Sequence, residues 1–168
     1  MRSSPALLFL CSLLSGAPLA AATDCPERSR SLMLVSDPDV ADVRSATAAC
    51  AVAYADGDTS AAYYLGLLDL GVADWQPERA ANLIREAAQG GMPEAQYWLA
   101  WQLEEGPLLP NDQSQALQWY EDAAEQSHPL ALARLADAYA AGELGLRREP
   151  ARAAELRALA ASCATDNQ

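Results

Sequence analysis

The chain has 168 residues, with 23 aspartates and glutamates against 11 basic residues and a formal net charge of −12. A chain this acidic does not take nucleic acid or anionic lipid as its main partner, although it could attract a basic protein; the plain use of the charge is solubility. The length is enough for one domain with a real hydrophobic core.

Residues 1–22 read as a leader. Arg2 precedes the apolar run "ALLFLCSLL" and then "SGAPLAAA", which is the positive start, short apolar core and small-residue site of a secretory signal peptide, with cleavage expected after Ala22. An apolar run of about 9 residues is too short for a bilayer, which needs roughly 20. Cys11 follows leucine and Cys25 follows aspartate, so neither has the small preceding residue of a lipoprotein site. No later stretch is long and apolar enough to insert into a membrane. A soluble exported protein, periplasmic or secreted, is the expectation. The absence of lysine beside abundant alanine and arginine is the codon signature of a GC-rich bacterial genome.

Residues 23–36 form an N-terminal segment, and 37–57 read as a capping helix in which Asp37 caps, Pro38 starts and Asp56-Gly57-Asp58 turns. Cleavage leaves Cys25, Cys50 and Cys163. In an oxidising compartment a disulfide is plausible, and an odd count leaves one thiol over. The pair expected is Cys25 with Cys50, which would pin the N-terminal segment to the first helix. With no CxxC, and His128 as the sole histidine, neither a metal site nor a cofactor is expected.

From residue 58 the chain repeats itself. "AAYYLG" from Ala61, "AQYWLA" from Ala95 and "ALARLA" from Ala131 each carry alanine, leucine four later, then a small residue, and their starts lie 34 and 36 residues apart. Each is followed by a loop, "GVADWQPE", "GPLLPNDQ" or "GELGLRREP", and then by a second pattern: "RAANLIREAA", "QALQWYEDAA" or "RAAELRALAA". Alanine, leucine, glutamate and arginine favour helices. Gly71, Gly106 and Gly142 stand where first helices should stop, Pro77 and Pro150 near the first turns of second helices, and "GGMP" and "SHP" end second helices at Gly91 and Ser127. The spans 58–93, 94–129 and 130–164 are therefore helix–loop–helix units, with a tail at 165–168 and the helix at 37–57 as a lone half-repeat. Small residues at fixed places let helices approach closely, and no helix of a unit can bury its face alone. The fold class expected is all-α, an α/α solenoid of antiparallel helix pairs.

The unit "EAQYWLAWQLEEGPLLPNDQSQALQWYEDAAEQSHP" resembles the Sel-one-like repeat (SLR) family, relatives of the tetratricopeptide repeat. Ala95, Tyr97, Leu99, Gly106, Asp112, Ala116, Trp119, Tyr120, Ala123 and Ala124 fall on its pattern. The first unit matches through Ala61, Tyr63, Leu65, Gly66, Ala80, Ala87 and Ala88. The third matches through Ala131, Leu135, Tyr139, Gly142, Ala153, Ala160 and Ala161, with Leu156 in place of the tryptophan. The resemblance implies a solenoid whose concave face, lined by first helices, holds another protein. It further implies an exported scaffold or adaptor or, alternatively, an immunity protein neutralising a toxic secretion-system effector.

The helix "EAQYWLAWQLEEG" carries an apolar stripe, Ala95, Leu99 and Leu103, and a tryptophan pair, Trp98 and Trp101. At about 100° per residue the two are centred roughly 130° apart, so the helix has two apolar faces. Tyr64 and Arg134 are in register with Trp98, and Leu67 and Asp137 with Trp101. Core positions barely change between units, while these change completely. The expected partner-binding wall is therefore Tyr64, Leu67, Trp98, Trp101, Gln102, Glu105, Arg134 and Asp137, since aromatic and arginine side chains anchor interfaces. Trp119 reads as core, and Trp75 as a loop residue covering the end of its unit. Glu104, Glu105, Glu121, Asp122 and Glu125 read as solvated helix surface. No G-x-S-x-G, phosphate loop or H-E-x-x-H occurs, and Cys163 has no base near it but a distant His128, so an enzyme is not expected.

Overall fold

The computed structural model describes residues 24–71, 73 and 75–165, except for the side chains of 164 and 165. The leader, with its cleavage site, and the last three residues lie outside the described residues. Within them the chain forms eight α-helices and no strand: α1 (Cys25–Met33), α2 (Val40–Ala55), α3 (Ser60–Gly71), α4 (Pro77–Gln89), α5 (Pro93–Glu104), α6 (Gln113–Glu125), α7 (Pro129–Ala141) and α8 (Pro150–Thr165). Each helix packs on its neighbours in chain order, most closely within the pairs α3–α4, α5–α6 and α7–α8. This is the stacking that the repeats predict.

The helix starts follow from local chemistry. Proline opens α4, α5, α7 and α8, where the missing N–H would have had no helical partner. Asp112 caps α6 by accepting the N–H of Gln115 at 3.0 Å. The α2 start differs from expectation: Asp39, not Asp37, is the cap, its carboxylate accepting the N–H of Ala41 at 2.6 Å, and Pro38 precedes the cap instead of opening the helix.

One turn recurs at each junction between units. Gly57, Gly91 and Ser127 take left-handed backbone (φ 94°, 90° and 62°). The next N–H in each case reaches back to an alanine carbonyl: Asp58 to Ala53, Met92 to Ala87 and His128 to Ala123, all at 3.0–3.1 Å. These are the six-to-one bonds of a Schellman ending. Ser127 does this without glycine's freedom and carries the cost of that backbone region.

The small residues hold helix pairs close. A Cβ on Gly66 would lie 2.6 Å from Ile84 Cγ1 and 3.0 Å from the Ala80 carbonyl oxygen. Ala100 and Ala136, in register with it, are fully buried. Leu65, Leu99 and Leu135 fill the layers between, with Ile84 and Tyr120 from the second helices.

The 23–36 segment contains a helix the sequence analysis left unassigned. Cys25, Ser29 and Leu32 of α1 are buried at the spacing of Ala61, Leu65 and Leu68 in α3. On α2, Ala46, Cys50 and Ala53 are buried at the spacing of Ala80, Ile84 and Ala87 on α4. The capping helix therefore has a first helix of its own, short and polar, and α1 also packs on α3. Cys25 and Cys50 form the expected disulfide with their Cα atoms 4.7 Å apart. Its two cysteines stand in register with Ala61 and Ile84 of the first unit. Cys163 is a free, half-buried thiol.

Candidate functional site

The eight wall residues separate by register. Counting from the opening alanine of each unit, the plus-three residues are Tyr64, Trp98 and Arg134, and the plus-six residues are Leu67, Trp101 and Asp137.

Two of the plus-three residues, Tyr64 and Arg134, reach back toward the preceding unit. Tyr64 is only 3% exposed. Arg30 of α1 donates to its hydroxyl at 2.8 Å and lies 5.6 Å from its ring centroid. Burial pushes the Tyr64 hydroxyl up, against the opposing pull of Arg30. Trp98 is half-buried and packs on the core. Arg134 binds Glu104 of α5 through Nε at 3.1 Å and through a terminal nitrogen, and binds Glu143 at 2.9 Å. Tyr64 is thus withdrawn from the wall, because a helix that the sequence analysis did not foresee covers it.

Gln102 is also withdrawn. It is 3% exposed, and its Oε1 accepts the N–H of Leu108 at 3.2 Å, which pins the α5–α6 loop. Its register mates, Leu68 and Ala138, are buried too. That comparison was available in the sequence and identifies position 102 as inward-facing.

Trp101 and Asp137 of the plus-six residues, with Glu105, face outward, while Leu67 packs against the core. Leu67 is half-buried, Asp137 and Glu105 are exposed, and Trp101 is 38% exposed. Trp101 Nε1–H donates to Glu105 Oε1 at 3.2 Å. Beside them a cleft of about 650 Å³ opens between α5 and α7, lined by Glu104, Glu105, Gln113, Arg134, Asp137, Glu143 and Leu144. The structure therefore brings Trp101, Glu105, Arg134 and Asp137 together, and leaves Leu67 on the first unit.

Four carboxylates line this cleft against one guanidinium. Glu104 is the deepest, its side chain 12% exposed. It accepts from Arg134 and from the Tyr120 hydroxyl at 2.9 Å. Hydrogen bonding to Glu104 is the main reason Arg134 is held well above the ordinary arginine range, so it stays cationic. Burial first, then the Glu104 hydrogen bond, pushes the Tyr120 hydroxyl up and keeps it a neutral donor. Glu104 had been read as solvated surface. Its signal lay in pairing 30 residues ahead, to Arg134, which becomes visible only once first helices are stacked side by side. Asp137 bonds Arg157 at 2.8 Å, both side chains more than half exposed.

Elsewhere, Trp119 is half-buried against the core, as expected of a structural residue. Trp75 is 66% exposed, so it does not cover its unit. His128 caps α7 and stacks on Tyr97, with ring centroids 4.9 Å apart. Among the described residues, no group of three or more His, Cys, Asp or Glu side chains is arranged to hold a metal ion, and no helix is long and apolar enough to cross a membrane.

No protein-family model matches the sequence, and no curated protein matches it. Solved structures do. A Sel1 repeat protein from Oxalobacter formigenes superposes with a TM-score of 0.71 at 23% identity, covering 83% of this chain and 56% of that one. The protein c5321, described as a protective antigen present in uropathogenic Escherichia coli strains and displaying an SLR fold, superposes with a TM-score of 0.69 at 26% identity, covering 84% of this chain and 30% of that one. The chain thus spans about half of the first protein and under a third of the second. These superpositions carry the assignment of the fold: the chain has the fold of Sel1-like repeat (SLR) proteins.

Proposed function

We propose that the chain is an exported protein–protein interaction module, a scaffold or adaptor without catalytic chemistry of its own. It engages a basic partner protein on the face formed by α5 and α7. The observation that carries this reading is Trp101. It is a large aromatic left partly open to solvent on a helix whose other large side chains are buried or half-buried, and it stands beside an acidic cleft. Such a residue is the usual energetic centre of a protein interface. The leader-like start of the sequence and the Cys25–Cys50 disulfide support an oxidising, extracytoplasmic setting.

The test is affinity capture from cell-envelope extract with the disulfide-bonded chain, repeated with Trp101→Ala. Truncation of an interface anchor costs about 2 kcal/mol or more, roughly 30-fold in affinity, so partner recovery should fall sharply while the thermal melt stays close to wild type. Undiminished recovery by the variant removes the face. The acidic cleft also fits an immunity protein seated on one basic toxic effector enzyme. Stoichiometry separates the two readings: an inhibitor holds a single enzyme very tightly, whereas a scaffold holds two partners or one more weakly.

A further inference from the structure

We infer that the partner's anchor on this face is an arginine side chain, carried on a protein segment that seats it between Trp101 and the carboxylates Glu105, Asp137 and Glu143. The inference rests on the interaction-module reading and goes further by naming the chemistry of the contact.

Two separate observations support it. The first is charge complementarity across an open helix face. The cleft beside Trp101 holds four carboxylates, and its own Arg134 is consumed at the floor by Glu104. Glu143 pairs with a terminal nitrogen of that guanidinium at 2.9 Å and is half exposed. Asp137 is held by Arg157 in a pair that is more than half exposed on both sides. Such exposed pairs contribute little, so an incoming cation displaces Arg157 at small cost. Glu105 is oriented by the Trp101 indole N–H, which places a carboxylate and an aromatic ring side by side.

The second observation is how the chain uses its first-helix face where that face is already covered. On α3, the segment seated there is α1, and it makes its contact with arginine: the Arg30 guanidinium lies 5.6 Å from the Tyr64 ring centroid and donates to the hydroxyl at 2.8 Å. Arg134 repeats the preference one junction before the chain's end, on Glu104. A guanidinium suits such places better than an ammonium. It is planar, stacks on aromatic faces, is weakly hydrated and presents paired donors to a carboxylate. At Trp101, one turn along from the Tyr64 register, an aromatic ring and the Glu105 carboxylate likewise stand side by side, with the chain's own guanidinia on the flanking carboxylates, Arg157 at Asp137 and Arg134 at Glu143.

The probe is the peptide acetyl-Ala-Leu-Arg-Ala-Leu-Arg-Ala-amide, compared with versions carrying lysine or the neutral isostere citrulline in place of arginine. The readout is the indole N–H resonance of Trp101 in the 15N-labelled, disulfide-bonded chain, assigned with Trp101→Phe. The arginine peptide should move this resonance saturably, about tenfold more tightly than the lysine peptide, with the citrulline peptide inert and the effect shrinking as salt rises. Asp137→Asn combined with Glu143→Gln should weaken the arginine peptide about tenfold. Both side chains are exposed, so the variant keeps the fold. The inference is overturned if the Trp101 resonance does not move, if citrulline serves as well as arginine, or if the double variant binds like wild type. When the peptide fails but capture from envelope extract depends on Trp101, the interaction reading stands and the arginine anchor falls. When capture is also indifferent to Trp101, both fall.

Discussion

His128 holds the start of α7 through Nδ1, which accepts the N–H of Ala131 at 3.3 Å. That bond requires the neutral ring with its proton on Nε2. Protonation would turn the acceptor into a donor facing a donor, and would place a cation at the positive end of a helix dipole. Burial against Tyr97 lowers the histidine below its usual value, with Glu94 pulling weakly the other way. The folded pKa therefore lies under the unfolded 6.5, and on acidification the unfolded chain takes up the proton first. The stability contributed by neutral His128 is present above the unfolded value and is lost as pH falls from there through the folded value. Denaturation midpoints measured at about pH 7.5 and about pH 5 should drop in wild type and stay level in His128→Asn, which keeps a cap acceptor but does not titrate. Asp112 does not blur the result. The Gln115 N–H holds its carboxylate below its ordinary 3.8, so its stabilisation is lost only in more acidic solution.

At the scale of elements, the N-terminal pair α1–α2 has the packing spacing of a repeat but not its core. Cys25 stands at the place of Ala61 and Cys50 at that of Ile84, and a disulfide joins them across 25 residues of sequence. A cross-link over such a loop contributes about 3 kcal/mol by constraining the unfolded chain. Cys25→Ala with Cys50→Ala should lose about that much, with amide exchange in α1 accelerating most. Cys25→Ala with Cys50→Ile, which restores the residues of the first unit, should recover about 2 kcal/mol of it by refilling the space. Equal stability of the two double variants would refute the equivalence of the positions. The same substitutions explain which elements were legible beforehand. Alanine, leucine and alanine pairs at fixed spacing expose six helices and the helix 40–55, because the pattern is the packing. In "CPERSRSLM" the inward positions carry cysteine and serine, so α1 shows no apolar stripe and reads as a segment. The proposed binding wall was half legible for a related reason. A helical wheel separates core from non-core, but it cannot tell a residue facing the preceding unit, such as Tyr64 or Arg134, from one facing solvent, such as Trp101 or Asp137.

Across the whole molecule, stability should follow from the strength of each junction, since stacked units touch only their neighbours. Side chains cross these junctions at several points. Tyr54 of α2 donates to Glu86 of α4 at 2.7 Å, and Gln96 of α5, held by Gln126 of its own unit at 2.8 Å, donates to the Ala88 carbonyl at 3.3 Å. The junction before the last unit depends most on charge, through Arg134 and Glu104. The Glu104 side chain is 12% exposed and that of Arg134 24% exposed. An ion pair this enclosed gains little over a well-packed apolar pair, yet it is costly to break on one side, because the remaining charge is left in a poorly solvated place. Arg134→Leu leaves Glu104 with the Tyr120 hydroxyl as its remaining partner here, and should cost about 2 kcal/mol, less than for a fully buried pair because the arginine is a quarter exposed. Adding Glu104→Gln should return most of that loss, giving a favourable coupling in the double-mutant cycle. The loss should also be local: exchange should accelerate in α7 and α8 and hold steady in α1 to α4, because no packed element connects the two ends directly. Acceleration spread evenly from α1 to α8 would mean that the stack unfolds as one indivisible unit, and that the Arg134–Glu104 junction does not set the stability of the last pair of helices.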